Sequence, residues 1–153
     1  MQMPLPAVEH AQLARLAGSW QGDETLGPSP WNPQGGVTVG RYHCHMALHD
    51  FFLFADYEQE NEGAITFRGH GVFSWDSTAG QYVLYWFDST GFIPGGPATG
   101  TWEGDALVLE HPSDQGRARY IWELGEGRFR MRIQSSPDGN VWTTFLDGTY
   151  TRA

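Results

Sequence analysis

Cysteine is almost missing from this chain. The single Cys44 excludes an internal disulfide framework. Basic residues are scarce as well: nine Lys and Arg stand against eighteen Asp and Glu, for a formal net charge of -9. Phosphate binding needs a basic footprint, so nucleic acid is excluded as an expected partner, and an anionic membrane surface is disfavoured for the same reason. Charged residues make up only 18% of the chain, which argues against a disordered tail or a long solvated helix. No apolar run approaches the length of a membrane span. The start, MQMPLPAVEH, has no basic segment followed by an apolar one, so no secretion signal is expected and a cytoplasmic location is the default.

Aromatic residues, at 14%, are what the chain has in excess, and large rings suit a wide interior. At 153 residues the expectation is one domain, with residues 1–17 an N-terminal segment and helix and residues 18–152 the body. Residues Ala7 to Ala17 carry the one helical pattern. Val8, Leu13 and Leu16 are spaced for one face, Pro6 precedes them and Gly18 can end the helix. From Gly18 onward the period is two.

Gly69 to Gly91 is the most legible stretch. Two aromatic-rich runs flank a loop, Ser77–Gly80, that ends in glycine, which is the sequence form of a β-hairpin. Counting outward from Asp76 opposite Gln81 pairs Trp75 with Tyr82, Phe73 with Leu84, Gly71 with Trp86 and Gly69 with Asp88. Both glycines then read as clearance for a larger side chain on the facing strand. A second hairpin, Val37–Leu48 with Phe51–Glu60, turns at His49–Asp50. Its register places Tyr42, Cys44, Met46, Leu53 and Tyr57 inside, and Arg41, His43 and Asp56 outside. Further hairpins join Thr99–Glu103 to Ala106–His111 and Arg117–Leu124 to Arg128–Ser135, and a last strand covers Val141–Arg152. Two stretches rich in Pro and Gly interrupt the pattern. GPSPWNPQGG reads either as a loop over a barrel mouth or as a surface loop whose Trp31 packs down; Ile93–Ala98 mirrors it.

The fold class expected is therefore all-β, an antiparallel up-and-down β-barrel of about ten strands, closed at one end by the short helix. Closure removes the sheet edges that so many strands would otherwise expose.

Gly18–Ser19–Trp20 after a short helix, with Arg152 near the end of the last strand, resembles the lipocalin (calycin) signature. That resemblance implies a Trp closing the barrel floor with an Arg packed across it. A longer match is carried by Gly69–His70–Gly71–Val72, Trp75–Asp76, Tyr82, Trp86–Phe87–Asp88–Ser89 and Gly100–Thr101–Trp102–Glu103–Gly104. These residues are similar to a bacterial family of uncharacterised lipocalin-like domains, which implies the barrel but no activity. Nitrobindin-like haem proteins also begin with a Gly-x-Trp strand and imply a haem-ligating His close to the C-terminus. The last strand here, VWTTFLDGTYTRA, has no His.

The leading functional expectation is a binding module, a barrel holding a small, largely apolar molecule with no cofactor and no metal. Its candidate ligand-binding residues are Trp20, Glu24, Tyr42, Tyr57, Trp86, Asp88 and Trp122. Asp88, inward beside Trp86, is a carboxylate in an aromatic cavity, or else it bonds backbone around Ser89–Gly91 and caps the strand end. Glu24, on the face of Trp20, is either a cavity carboxylate or the partner of an inward Arg. Three alternatives stand beside this reading: an enzyme using Asp88 or Glu24 as general base, a haem-binding barrel, and a solidly packed barrel acting through its outer surface. No residue is assigned as catalytic, because no nucleophile elbow or phosphate loop is present. His43-x-His45 could chelate a metal from one strand face, but no second cluster supplies a carboxylate at clear spacing. Phe52, Phe54, His70, Tyr85 and Phe87 make an outward stripe that points to a homodimer.

Overall fold

The structure, a computed structural model, describes residues 1–30 and 32–153; the expectation for Trp31 falls outside the described residues. A short helix, α1 (Val8–Gln12), runs into a tight 3-10 turn over Leu13–Leu16. Ten strands follow among the described residues: β1 (Gly18–Leu26), β2 (Gly36–Ala47), β3 (Phe52–Asn61), β4 (Ala64–Asp76), β5 (Gln81–Asp88), β6 (Ala98–Glu103), β7 (Ala106–Ser113), β8 (Gly116–Gly125), β9 (Arg128–Ser136) and β10 (Thr143–Arg152). Each strand pairs antiparallel with its neighbour in sequence. β1 also pairs with β10, from Trp20 opposite Arg152 to Leu26 opposite Leu146, and this closes the barrel.

The strands alternate because one face is dry. Along β2, Thr38, Tyr42 and Cys44 are buried while His43 and His45 are exposed. The expected registers of the two long hairpins hold. Met46 stands opposite Leu53 and Tyr42 opposite Tyr57; Asp76 stands opposite Gln81 and Gly69 opposite Asp88.

Three local expectations are corrected. The turn between β2 and β3 is four residues, Leu48–Phe51, because Leu48, His49 and Asp50 all take positive φ and leave the ladder. The helical segment expected over Ala7–Ala17 forms, as α1 continued by the 3-10 turn. Its dry side is His10, Leu13 and Leu16, while Val8 is 66% exposed. His10 replaces Val8 on that side: its ring meets Phe51 edge-on at 5.1 Å, and its Nδ1 accepts from the Ala7 N–H at 2.9 Å. Finally, Gly69 gives clearance to Trp86 rather than to Asp88. The indole lies across Gly69, where a Cβ would overlap it.

The helical segment seals one end. Trp20 donates from its indole to the Leu16 carbonyl at 2.9 Å, and Tyr82 donates to the Glu9 carbonyl at 2.8 Å. The Arg152 guanidinium lies 3.9 Å from the Trp20 ring and donates to the Ala17 carbonyl at 2.6 Å. Above this floor the barrel is filled with rings. Tyr42 touches Tyr57, Trp122, Phe129 and Tyr150 at centroid distances of 4.7, 5.5, 5.5 and 5.0 Å, and Trp122 meets Phe73 at 5.4 Å. Such pairs contribute about 0.5–1.5 kcal/mol each beyond the area they bury, so this cluster is the main tie between opposite walls.

Candidate functional site

Two features of the interior carry chemistry. One is the buried Glu24 carboxylate and the other a cavity beside Asp88.

The lower feature is Glu24. It points inward from β1 and is 0% exposed. Four donors surround its carboxylate: the Tyr57 hydroxyl at 2.7 and 2.8 Å to the two oxygens, the Tyr150 hydroxyl, the Thr38 hydroxyl at 3.0 Å and the Gln59 amide at 3.2 Å. Those donors come from β3, β10 and β2, so the carboxylate ties four strands across the closure. Room for the cluster comes from glycine. A Cβ on Gly40 would overlap the Glu24 carboxylate, and one on Gly148 would overlap the Tyr150 hydroxyl. Burial, with smaller contributions from Tyr42 and the Glu24 charge, pushes both the Tyr57 and Tyr150 phenols far above their usual range. Both therefore remain protonated and donate. No arginine pairs with Glu24 among the described residues, so the expected alternative of an inward Arg partner is corrected to a set of neutral donors.

The upper feature is the open end, away from the helix. A cavity of about 190 Å³ lies between β5, β7, β8 and the loop that joins β5 to β6. Trp86, Asp88, Phe92, His111 and Tyr120 are its principal side chains. Asp88 Oδ2 accepts from the Trp86 indole at 2.9 Å; Oδ1 accepts from the Thr90 backbone N–H at 3.0 Å and from the Thr90 hydroxyl. The strand-end bonds expected of Asp88 as a cap are thus present, and the same side chain lines the cavity. Burial, then the charge of Asp88, pushes the Tyr120 phenol up. Gln59 belongs to the Glu24 cluster. It is half-buried, and its amide donates both to Glu24 and to the Tyr57 hydroxyl at 2.9 Å.

The seven residues expected at a ligand site thus separate by depth. Trp86 and Asp88 line the mouth. Glu24 and Tyr57 form the hydrogen-bonded layer beneath it. Tyr42 and Trp122 pack in the ring cluster, and Trp20 lies at the floor. Sequence reasoning missed Tyr150, Thr38 and Gln59 around Glu24, and His111 and Phe92 at the mouth. Inward parity marks Tyr150 and Gln59, but β1 meets β10 only through a long-range pairing that no turn announces.

The other candidates lie on the outer face. His70 bonds Asp56 at 2.7 Å, on the opposite side of the sheet from Asp88. His43 bonds the Ser19 hydroxyl at 2.9 Å. Cys44 is buried, and burial pushes its thiol up to about 12. A larger depression of about 430 Å³ on the outside of β8–β10 is lined by Asp105, Glu123, Arg128 and Arg130, a mixed set in which Arg130 is already paired with Asp147.

These features define a closed ten-stranded antiparallel barrel, sealed at one end and indented at the other. A family model, described as a protein of unknown function (DUF1579), matches residues 5–152, and the chain belongs to that family. The fold is similar to the crystal structure of Rv2717c from M. tuberculosis, at 16% identity and a TM-score of 0.72, covering 98% of this chain and 99% of that one. At that identity the likeness concerns the fold alone. No curated protein matches the chain.

Glu24→Gln tests the lower feature. The new NH2 would face hydroxyls that already donate, so one or more buried donors lose an acceptor. The expected loss of unfolding free energy is about 1–3 kcal/mol, read as a lower urea midpoint at unchanged slope. A variant as stable as the parent would show that the carboxylate contributes shape only.

Proposed function

We propose that the protein is a binding module that takes a small, largely apolar molecule at the open mouth of the barrel, against Trp86 and Tyr120. The observation that carries this reading is the position of the cavity. It is bordered by aromatic faces and a few convergent polar groups, as small-molecule sites are. It lies above a layer, Glu24 with its four donors, beyond which the interior is filled by rings.

The general-base alternative has less support. A base must come within roughly 2.6–3.2 Å of the proton it takes. Glu24 has protein donors at those distances and no exposed surface. Asp88 is reachable, but it is already the acceptor for Trp86 and Thr90.

Indole, an uncharged flat probe, tests the reading. Titrated into 15N-labelled protein, it is expected to move the indole N–H resonance of Trp86 and to leave those of Trp20 and Trp122 in place. Movement of Trp20 or Trp122 first would put the binding space in the barrel interior; no movement of Trp86 would contradict a site at the mouth.

The outer face supports a second reading, self-association. Tyr85 and Phe87 are 41% and 42% exposed, and Phe54 meets His45 and His70 edge-on at 5.7 and 5.6 Å. With Phe52 they form a stripe across β3–β5, large and apolar for a free surface. A symmetric dimer would cover it. Sedimentation at micromolar concentration is expected to show a dimer that Phe87→Glu converts to a monomer; a monomeric parent protein would contradict this.

A further inference from the structure

Asp88 is a carboxylate set among rings. Trp86 lies on its own strand, Tyr120 on β8 and Phe92 on the loop after β5, all lining one cavity. Phe92 is 75% exposed, an aromatic face at the cavity edge that only a ligand or a partner would cover. The carboxylate is fixed in place by three donors, from Trp86 and Thr90. An ionised carboxylate offers about four lone-pair sites, so acceptor capacity remains. What it lacks is a cation. Among the described residues no arginine pairs with Asp88, and all nine basic residues of the chain are arginine. His111 is the one other titratable side chain lining the cavity besides Tyr120, whose burial keeps its phenol protonated.

We propose that the mouth selects an organic cation, a substituted ammonium on a small apolar body. The nitrogen would face Asp88, and its alkyl groups would lie on Trp86, Tyr120 and Phe92. A positive nitrogen is drawn both to the carboxylate and to the negative faces of the rings, and it gains more from each when water is excluded. A net charge of -9 also raises the local concentration of cations around the molecule. An anion would meet Asp88 unfavourably, and a purely apolar ligand would leave the remaining capacity of the carboxylate covered and unused. The inference rests on the mouth being the binding site.

A matched pair of probes separates the two claims. Choline and 3,3-dimethylbutan-1-ol have the same shape and differ in replacing the quaternary nitrogen by carbon. In titrations of the full chain followed at the Trp86 indole N–H, choline is expected to bind at least about tenfold more tightly than the alcohol. Asp88→Asn is expected to cut that preference several-fold, the ring faces keeping the remainder. Should Asp88→Asn unfold, Phe92→Ala decides, because its exposed position spares the fold; choline binding is expected to weaken several-fold relative to the alcohol. Equal binding of the two probes, or a preference unchanged in Asp88→Asn or in Phe92→Ala, would overturn the cation while leaving the mouth as the site. If neither probe moves Trp86 but indole does, the cation fails alone; if no probe moves it, both claims fail.

Discussion

A carboxylate with no exposed surface must be hydrogen-bonded on every side, and the barrel is arranged around meeting that demand at Glu24. Taking an ionised carboxylate out of water uncompensated costs far more than the net stability of a domain. The donors that offset it come from three strands besides its own. Tyr57 and Gln59 are on β3, Thr38 is on β2 and Tyr150 is on β10. Those donors converge only if β1 is paired on both sides, so the network and the closure of the barrel require one another. Gly40 and Gly148 are the backbone counterpart, since any side chain there would occupy the volume of the cluster.

The same layer divides the interior. Below it, rings from β1, β2, β4, β8 and β9 interlock down to Trp20 and the helical plug. Above it, strands end, side chains are half-buried, and the loop from Ser89 to Pro97 leaves space beside Trp86. A filled lower half and an indented upper half are compatible with the binding proposed at the mouth. The hydrogen-bonded layer holds the walls in register, and Asp88 and Tyr120 take no part in it.

Much of this was legible in the sequence wherever information was local. Alternating burial and a glycine-ended turn were enough to place Trp75 opposite Tyr82 and Gly69 opposite Asp88, and a Pro/Gly-rich stretch was enough to place a loop near the mouth. The turn at Leu48–Phe51 is longer than residue type predicts, since Leu48 takes positive φ beside His49 and Asp50 without being a residue type that favours it. Apolar spacing promotes Val8 to the dry side of the helix, whereas the site is filled by His10 using its ring and one nitrogen. The partners of Glu24 were hidden for a different reason. Tyr150 lies 126 residues away, and only closure brings it within reach.

The interior is filled by rings around Tyr42 and Trp122 and indented beside Trp86. Xenon enters apolar space large enough to hold it without needing a polar partner. A crystal pressurised with xenon is predicted to show an atom at the mouth beside Trp86, and none among Trp20, Tyr42 and Trp122. Xenon bound within that ring cluster, beneath the Glu24 carboxylate, would contradict the account.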